Sequence, residues 1–183
     1  MNVQTMKKVK VRDKEFAIYL KEKQIQKAVS KMSDEISKDL HGKVPLFLII
    51  LNGAFVFASD LLRKVKLDCE VSFVKLSSYV GTQSTAHVRE LIGLDRVLKD
   101  RYVVILEDII DTGITMEYTI QKLKELEAAD VRIASLLFKP DAFQKNYKID
   151  YVGLEIPNDF IIGYGLDYDG FGRNLPDIYK IVE

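Results

Sequence analysis

Residues 103–115 read Val-Val-Ile-Leu-Glu-Asp-Ile-Ile-Asp-Thr-Gly-Ile-Thr. The run from Val103 to Leu106 is apolar and rich in β-branched side chains, the makeup of a strand buried on both faces as in a parallel sheet. Glu107 and Asp108 stand where that strand is expected to end, and from Thr115 onward the pattern reads as helix. A strand, a polar turn and a helix start in this order make an anion site, because the N–H groups of the first helical turn have no partner within the helix. Two acids beside such a site suggest a metal ion or a sugar diol alongside.

The same grammar repeats on either side. Leu46-Phe47-Leu48-Ile49-Ile50-Leu51 reads as a second buried strand, broken by Asn52-Gly53-Ala54 before a helix carrying Phe57, Ala58, Leu61 and Leu62. Val131 to Phe138 reads as a third, ending in the turn Lys139-Pro140-Asp141. Upstream, Phe16 to Leu20 is a short strand. It precedes a helix with Ile25, Ala28, Val29, Met32, Ile36 and Leu40 on its core face and Gly42 placed to end it. Glu70 to Tyr79 has strand character, and Val80 to Glu90 is expected to be a long polar loop. The tail holds short strands near Tyr151–Leu154 and Phe160–Ile162, then an aromatic, acidic, glycine-rich stretch to Arg173.

Strand–helix alternation of this kind predicts an α/β fold: an open, mostly parallel sheet flanked by helices, with ligands at the carboxyl ends of the strands. Asn52-Gly53, Glu107 to Thr115 and Lys139 all fall at such ends. Neither a dinucleotide-binding fingerprint nor a Walker phosphate loop is present, since the central motif has one Gly and no Lys-Ser/Thr pair.

Composition narrows the classes further. A chain of 183 residues, 48% hydrophobic, fills one core and predicts one domain. Lys plus Arg and Asp plus Glu number 27 each, so the net charge is zero and nothing global favours a nucleic acid or an anionic membrane. Cys69 is the sole cysteine, which excludes an internal disulfide or a thiolate cluster and suits a reducing cytoplasm. The N-terminus has no signal-peptide core, and Leu46–Leu51 is far too short to span a bilayer, so a cytoplasmic protein is expected.

Taken together, the motifs resemble those of the type I phosphoribosyltransferases. Val103 to Thr115 resembles their phosphoribosyl-pyrophosphate motif, and Glu107-Asp108-Ile109-Ile110-Asp111-Thr112-Gly113 is similar to its hypoxanthine-guanine form. Leu51-Asn52-Gly53 resembles the pyrophosphate loop, and Ser78-Tyr79 with Ser84-Thr85 resembles the mobile loop. Lys139, Phe160-Ile161, Asp167 and Arg173 follow in the family's order, so the likeness covers roughly residues 47–180.

The resemblance implies a core over about 40–140, with a hood built from the N-terminal segment and residues 141–183. It also implies purine salvage: magnesium-dependent transfer of the phosphoribosyl group to hypoxanthine, guanine or both, giving IMP or GMP and pyrophosphate. Glu107 and Asp108 would hold the ribose hydroxyls and help place the metal. Thr112, Gly113, Ile114 and Thr115 would wrap the 5-phosphate, with Gly permitting close approach. Asp111 would act as general acid or base near the purine N7. Asn52, Gly53 and Arg173 would meet pyrophosphate.

Lys139, a donor-only ammonium, would read the 6-oxo group, Phe160 would stack on the base, and Ile161 would offer backbone groups to its edge. Asp167 would serve the base site and a second magnesium. The mobile loop would keep water from an oxocarbenium-like centre. A homodimer or homotetramer is expected, without nucleic-acid or membrane partners. A cis peptide at Leu51-Asn52 is implied as well. Two departures stand out: Asn52 where Lys or Arg is common, and Ala86 where Gly commonly follows Ser-Thr. Each residue taken singly has an ordinary alternative, such as a helix-capping Asp or a surface Lys. Transfer to another base (xanthine, adenine or a pyrimidine) and an RNA-binding regulator on the same fold both stay open at this level.

Overall fold

The computed structural model describes residues 8–79, 87–92 and 97–182. In chain order the elements are β1 (Lys8–Val11), β2 (Lys14–Leu20), α1 (Glu22–Asp39), β3 (Leu46–Leu51), α2 (Phe55–Leu62), β4 (Glu70–Tyr79), β5 (His87–Ile92), β6 (Tyr102–Ile110), α3 (Ile114–Glu125), β7 (Asp130–Phe138), β8 (Tyr151–Glu155), β9 (Ile161–Ile162) and β10 (Ile178–Ile181). They form two sheets.

The larger sheet has the order β5-β4-β3-β6-β7-β8. Its pairings are parallel apart from the antiparallel β4–β5 edge. The apolar runs behave as expected of strands covered on both faces. In β3, Phe47 and Ile49 join the core under α1 and α2, while Leu46, Leu48 and Ile50 join the core under α3. Val104 and Leu106 of β6 fall on the first side, Val103 and Ile105 on the second. The α1 residues Ile25, Ala28, Val29, Met32, Ile36 and Leu40 are all buried, and Gly42 follows the helix at φ +76°.

The second sheet, β1-β2-β10-β9, is antiparallel and packs around Phe16, Ile162 and Tyr179. It joins the chain's two ends into a hood. Asp177, just before β10, accepts a hydrogen bond from the Glu22 N–H at 2.8 Å and so caps the start of α1. Tyr164 donates to Asp60 of α2 at 2.6 Å, and Gln26 of α1 donates to the same carboxylate oxygen.

Several local expectations change. Residues 87–90 belong to β5 instead of a loop, because β4 continues into an antiparallel partner. β2 contains the expected Phe16–Leu20 strand, while β1 and β10 are additional: each is only four residues long and carries charged residues among its apolar ones, so neither leaves a continuous apolar run. β8 pairs with β7 in the larger sheet.

The site's position follows from strand order. From β3 the chain moves to β4 on one side, and β6 then returns to the other. The carboxyl ends of β3 and β6 therefore diverge at a topological switch point, where open α/β sheets form their ligand crevice.

Candidate active site

A cavity of about 470 Å³ opens at that switch point. It is lined by Gly53 after β3, by Glu107 to Met116 across the end of β6 and the start of α3, and by Asp167 and Arg173 from the hood. Three separated stretches of sequence thus meet.

β6 does not stop at the acid pair. It runs on through Ile109 and Ile110, so Glu107 and Asp108 are strand residues. Both line the cavity, and their carboxyls interact side chain to side chain. Asp108 retains 9% exposure, and its Oδ1 accepts the Ile109 N–H at 2.9 Å. It lies so close over Gly53 that a Cβ there would come within 1.6 Å of Asp108 Oδ2. Only glycine fits. Burial, then the charge of Asp108, raises the Glu107 carboxyl well above its ordinary range, and burial also raises Asp108. Neither acid is in an ion pair among the described residues.

The turn after β6 begins at Asp111. Thr112 precedes Gly113 at φ +85°, and α3 starts at Ile114, one residue earlier than the sequence pattern suggests. Thr112, Gly113, Ile114 and Thr115 all line the cavity. Helix N-termini carry unpaired N–H groups and a positive dipole end, so this rim suits a phosphate.

Asp111 and Lys139 are 28 positions apart, and sheet register makes them neighbours. Ile110 lies opposite Phe138, and the Lys139 N–H donates to the Ile110 carbonyl at 3.0 Å, which carries the ladder one step past both strands. Lys139 Nζ then reaches Asp111 Oδ2 at 3.0 Å and Asn158 Oδ1 at 3.3 Å. Lys139 retains only 8% exposure, and its pairing offsets the cost of burying a charge. Asn158 escaped the sequence reading, for which its only signal was its place between Pro157 and Phe160.

Phe160 lies outside the cavity lining but is 47% exposed. Its ring packs tilted on Phe16 at 6.3 Å and edge-on to Tyr168 at 5.9 Å, a supported aromatic with free surface. Ile161 is buried in the hood, paired with Lys180 of β10. Arg173 pairs with Asp167 Oδ1 at 2.5 Å and donates to the Gly165 carbonyl at 2.7 Å, while Asp167 Oδ2 accepts the Gly170 N–H at 2.6 Å. Asn52 is exposed beside the cavity, and the Leu51–Asn52 peptide is cis. Of the expected mobile loop, Ser84 and Thr85 lie outside the described residues, as does Ala86, and the backbone of Ser78 and Tyr79 closes β4.

A helix N-terminus and two desolvated acids lining one cavity at the switch point, with a buried Lys paired to the lining Asp111, accord with the family profile described as "phosphoribosyl transferase domain", which matches residues 17–169. The chain belongs to the type I phosphoribosyltransferase family. Curated relatives are hypoxanthine-guanine phosphoribosyltransferases. That of Bacillus subtilis (strain 168) is 36% identical over 162 residues, spanning 88% of this chain and 90% of the relative. That of Lactococcus lactis subsp. lactis (strain IL1403) is 38% identical over 160 residues, spanning 87% of each. The crystal structure of a hypoxanthine-guanine phosphoribosyltransferase from Bacillus anthracis, with a HEPES molecule in its active site, superposes with a TM-score of 0.86 at 34% identity, covering 90% of this chain and 98% of that one. The parallel sheet and flanking helices of this phosphoribosyltransferase are therefore those of its family.

Proposed function

We propose that the enzyme serves purine salvage by transferring the phosphoribosyl group of phosphoribosyl pyrophosphate to a ring nitrogen of hypoxanthine or guanine, giving IMP or GMP and pyrophosphate. The observation that carries the choice of base is the pairing of Asp111, which lines the cavity, with the Lys139 ammonium, which lies just outside the lining and 3.0 Å from the Asp111 carboxylate. On a 6-oxopurine, N7 and O6 are neighbours on one edge, so one side chain meets each. A buried ammonium has donors only, so it satisfies an oxo group and rejects an amino group.

The roles of the other residues follow the cavity. Thr112, Gly113, Ile114 and Thr115 hold the 5-phosphate on hydroxyls and N–H groups. Glu107 and Asp108 hold the ribose hydroxyls. Gly53 and the Arg173 guanidinium face the pyrophosphate, with Asn52 at the edge of that site and Asp167 orienting Arg173. Phe160 stacks on the base, and Ile161 presents its backbone to the base edge.

During the reaction the bond from C1 to pyrophosphate breaks and its electron pair departs with the leaving group. The purine nitrogen supplies the pair for the new bond, and Asp111 takes the proton that the purine releases from N7.

The acid pair fits a hard divalent cation, because its carboxyls are desolvated and lack an ion-pair partner among the described residues. Glu107 and Asp108 would hold magnesium directly or through water, and the ion would neutralise the pyrophosphate leaving group; Asp167 lines the same cavity, but among the described residues no three acids lie close enough together to share one ion. Two finer features belong to the same reading. A cytoplasmic location is supported by the free thiol of Cys69 and by the absence, among the described residues, of a helix long and apolar enough to cross a membrane. A homodimer or homotetramer is supported by Phe55 and Phe73, each 46% exposed.

The test is to offer the purified protein phosphoribosyl pyrophosphate, magnesium and a panel of hypoxanthine, guanine, xanthine, adenine and uracil. Nucleotide formation with hypoxanthine or guanine, abolished by a chelator, is expected. Preferential turnover of adenine or uracil would overturn the assignment.

A further inference from the structure

The loop after β7 carries Lys139 at its start and, a few residues on, lies against the underside of the phosphate turn. Two of its groups grip that turn's backbone carbonyls. The Gln144 N–H donates to the Thr112 carbonyl at 3.3 Å, and the Tyr147 hydroxyl donates to the Gly113 carbonyl at 3.0 Å. Lys145 Nζ adds an ion pair to Glu117 of α3 at 2.6 Å. Packing is close: a Cβ on Gly113 would come within 2.6 Å of the Tyr147 oxygen and 2.7 Å of the Phe143 ring. Phe143 in turn stands edge-on to Tyr147 at 5.1 Å and to Phe138 at 5.3 Å, which fixes the phenol's direction.

Peptide planarity gives this grip a consequence at the cavity. The Gly113 carbonyl and the Ile114 N–H belong to one planar trans unit and point in opposite directions. The carbonyl also accepts the Glu117 N–H at 3.0 Å, as the first helical bond of α3. A second donor from beneath locks the unit's rotation and aims the Ile114 N–H away from Tyr147, toward the cavity that Gly113 and Ile114 line.

We propose that Tyr147 is a positioning residue for the phosphate turn: its hydroxyl, holding the Gly113 carbonyl from below, orients the Gly113–Ile114 peptide toward the donor's 5-phosphate. The proposal rests on assigning residues 112–115 to that phosphate. Because the same loop begins at Lys139, it also ties the phosphate turn to the base-reading ammonium.

Tyr147→Phe keeps the ring and removes only the donor. Binding of ribose 5-phosphate and, separately, of magnesium pyrophosphate is measured by calorimetry on the wild type, Tyr147→Phe and Thr115→Ala. Tyr147→Phe should weaken ribose 5-phosphate by about three- to tenfold, the effect of one hydrogen bond, and leave magnesium pyrophosphate within about twofold. A merely structural tyrosine would weaken both ligands alike or neither, and either result overturns the proposal. If Thr115→Ala leaves ribose 5-phosphate affinity unchanged, the phosphate assignment falls and takes the proposal with it. If Thr115→Ala weakens that affinity and Tyr147→Phe does not, the proposal alone falls.

Discussion

Asp111 carries two loads: it pairs with the buried Lys139 ammonium, and it faces the place assigned to the purine N7. Asp111→Asn keeps an acceptor for Lys139 and removes the proton-accepting carboxylate. It should therefore lower kcat by about 10²–10⁴-fold while changing the KM for phosphoribosyl pyrophosphate far less. Steady-state kinetics with both substrates checks this, and unchanged turnover would reduce Asp111 to a partner of Lys139. Glu107 makes a different prediction. Burial raises its carboxyl well above the ordinary range, so between its unfolded and folded pKa values the native protein binds the extra proton. The unfolded chain then binds fewer protons, and stability falls as pH rises through that window. Glu107→Gln should remove this loss. The ligand-free variant should melt higher than the wild type at neutral to mildly alkaline pH, with the gap closing toward acid, even as activity drops. A lower melting temperature at neutral pH would contradict the burial account.

Among the elements, the end of β3 and the middle of β6 set the cavity's floor, and their fit centres on Gly53 beneath Asp108. The Asp108 carboxylate is the atom group a methyl at Gly53 would strike, and a side-chain end can swing away more cheaply than backbone. Gly53→Ala should thus cost activity more than folding. A loss of about a hundredfold in kcat/KM is expected from a misplaced ribose contact, with the thermal midpoint nearly unchanged. Equal loss in both measurements would contradict this. The elements also mark what sequence could tell. Continuous apolar runs at 46–51 and 103–106 revealed buried parallel strands, because burial on both faces leaves such a signal, and 131–138 kept it apart from Arg132 and Ser135. β1, β5 and β10 sent none, being short, charged or solvated on one side. β6 misled in a smaller way: acids usually end a buried strand, and here they are its cavity-lining continuation. The motifs placed Asp111 and Lys139 at strand ends, but their 3.0 Å contact depends on β6–β7 register, which no local pattern encodes. Asn158 and Tyr147 were missed because each acts through a contact formed only on folding.

Across the whole molecule, the hood meets the core on apolar packing, with Ile161, Tyr164, Leu166 and Ile178 in the cluster under α1 and α2, and on polar contacts. Tyr164 and Gln26 converge on Asp60, Asp177 caps α1, and Arg173 is held between Asp167 and the Gly165 carbonyl. The core supplies the phosphate turn, the acid pair and Lys139, while the hood supplies Phe160, Asp167 and Arg173. Under the proposed function the donor would be read by one sheet edge, and the base by Lys139 against a hood aromatic. The most direct test is the ratio of kcat/KM for hypoxanthine to that for adenine, measured in the wild type and in Lys139→Ala under the same phosphoribosyl pyrophosphate and magnesium. The wild type should favour hypoxanthine by about 10²-fold or more, and Lys139→Ala should lose most of that preference with little change in affinity for phosphoribosyl pyrophosphate. A wild type that favours adenine, or a variant whose preference is undiminished, would contradict the assignment.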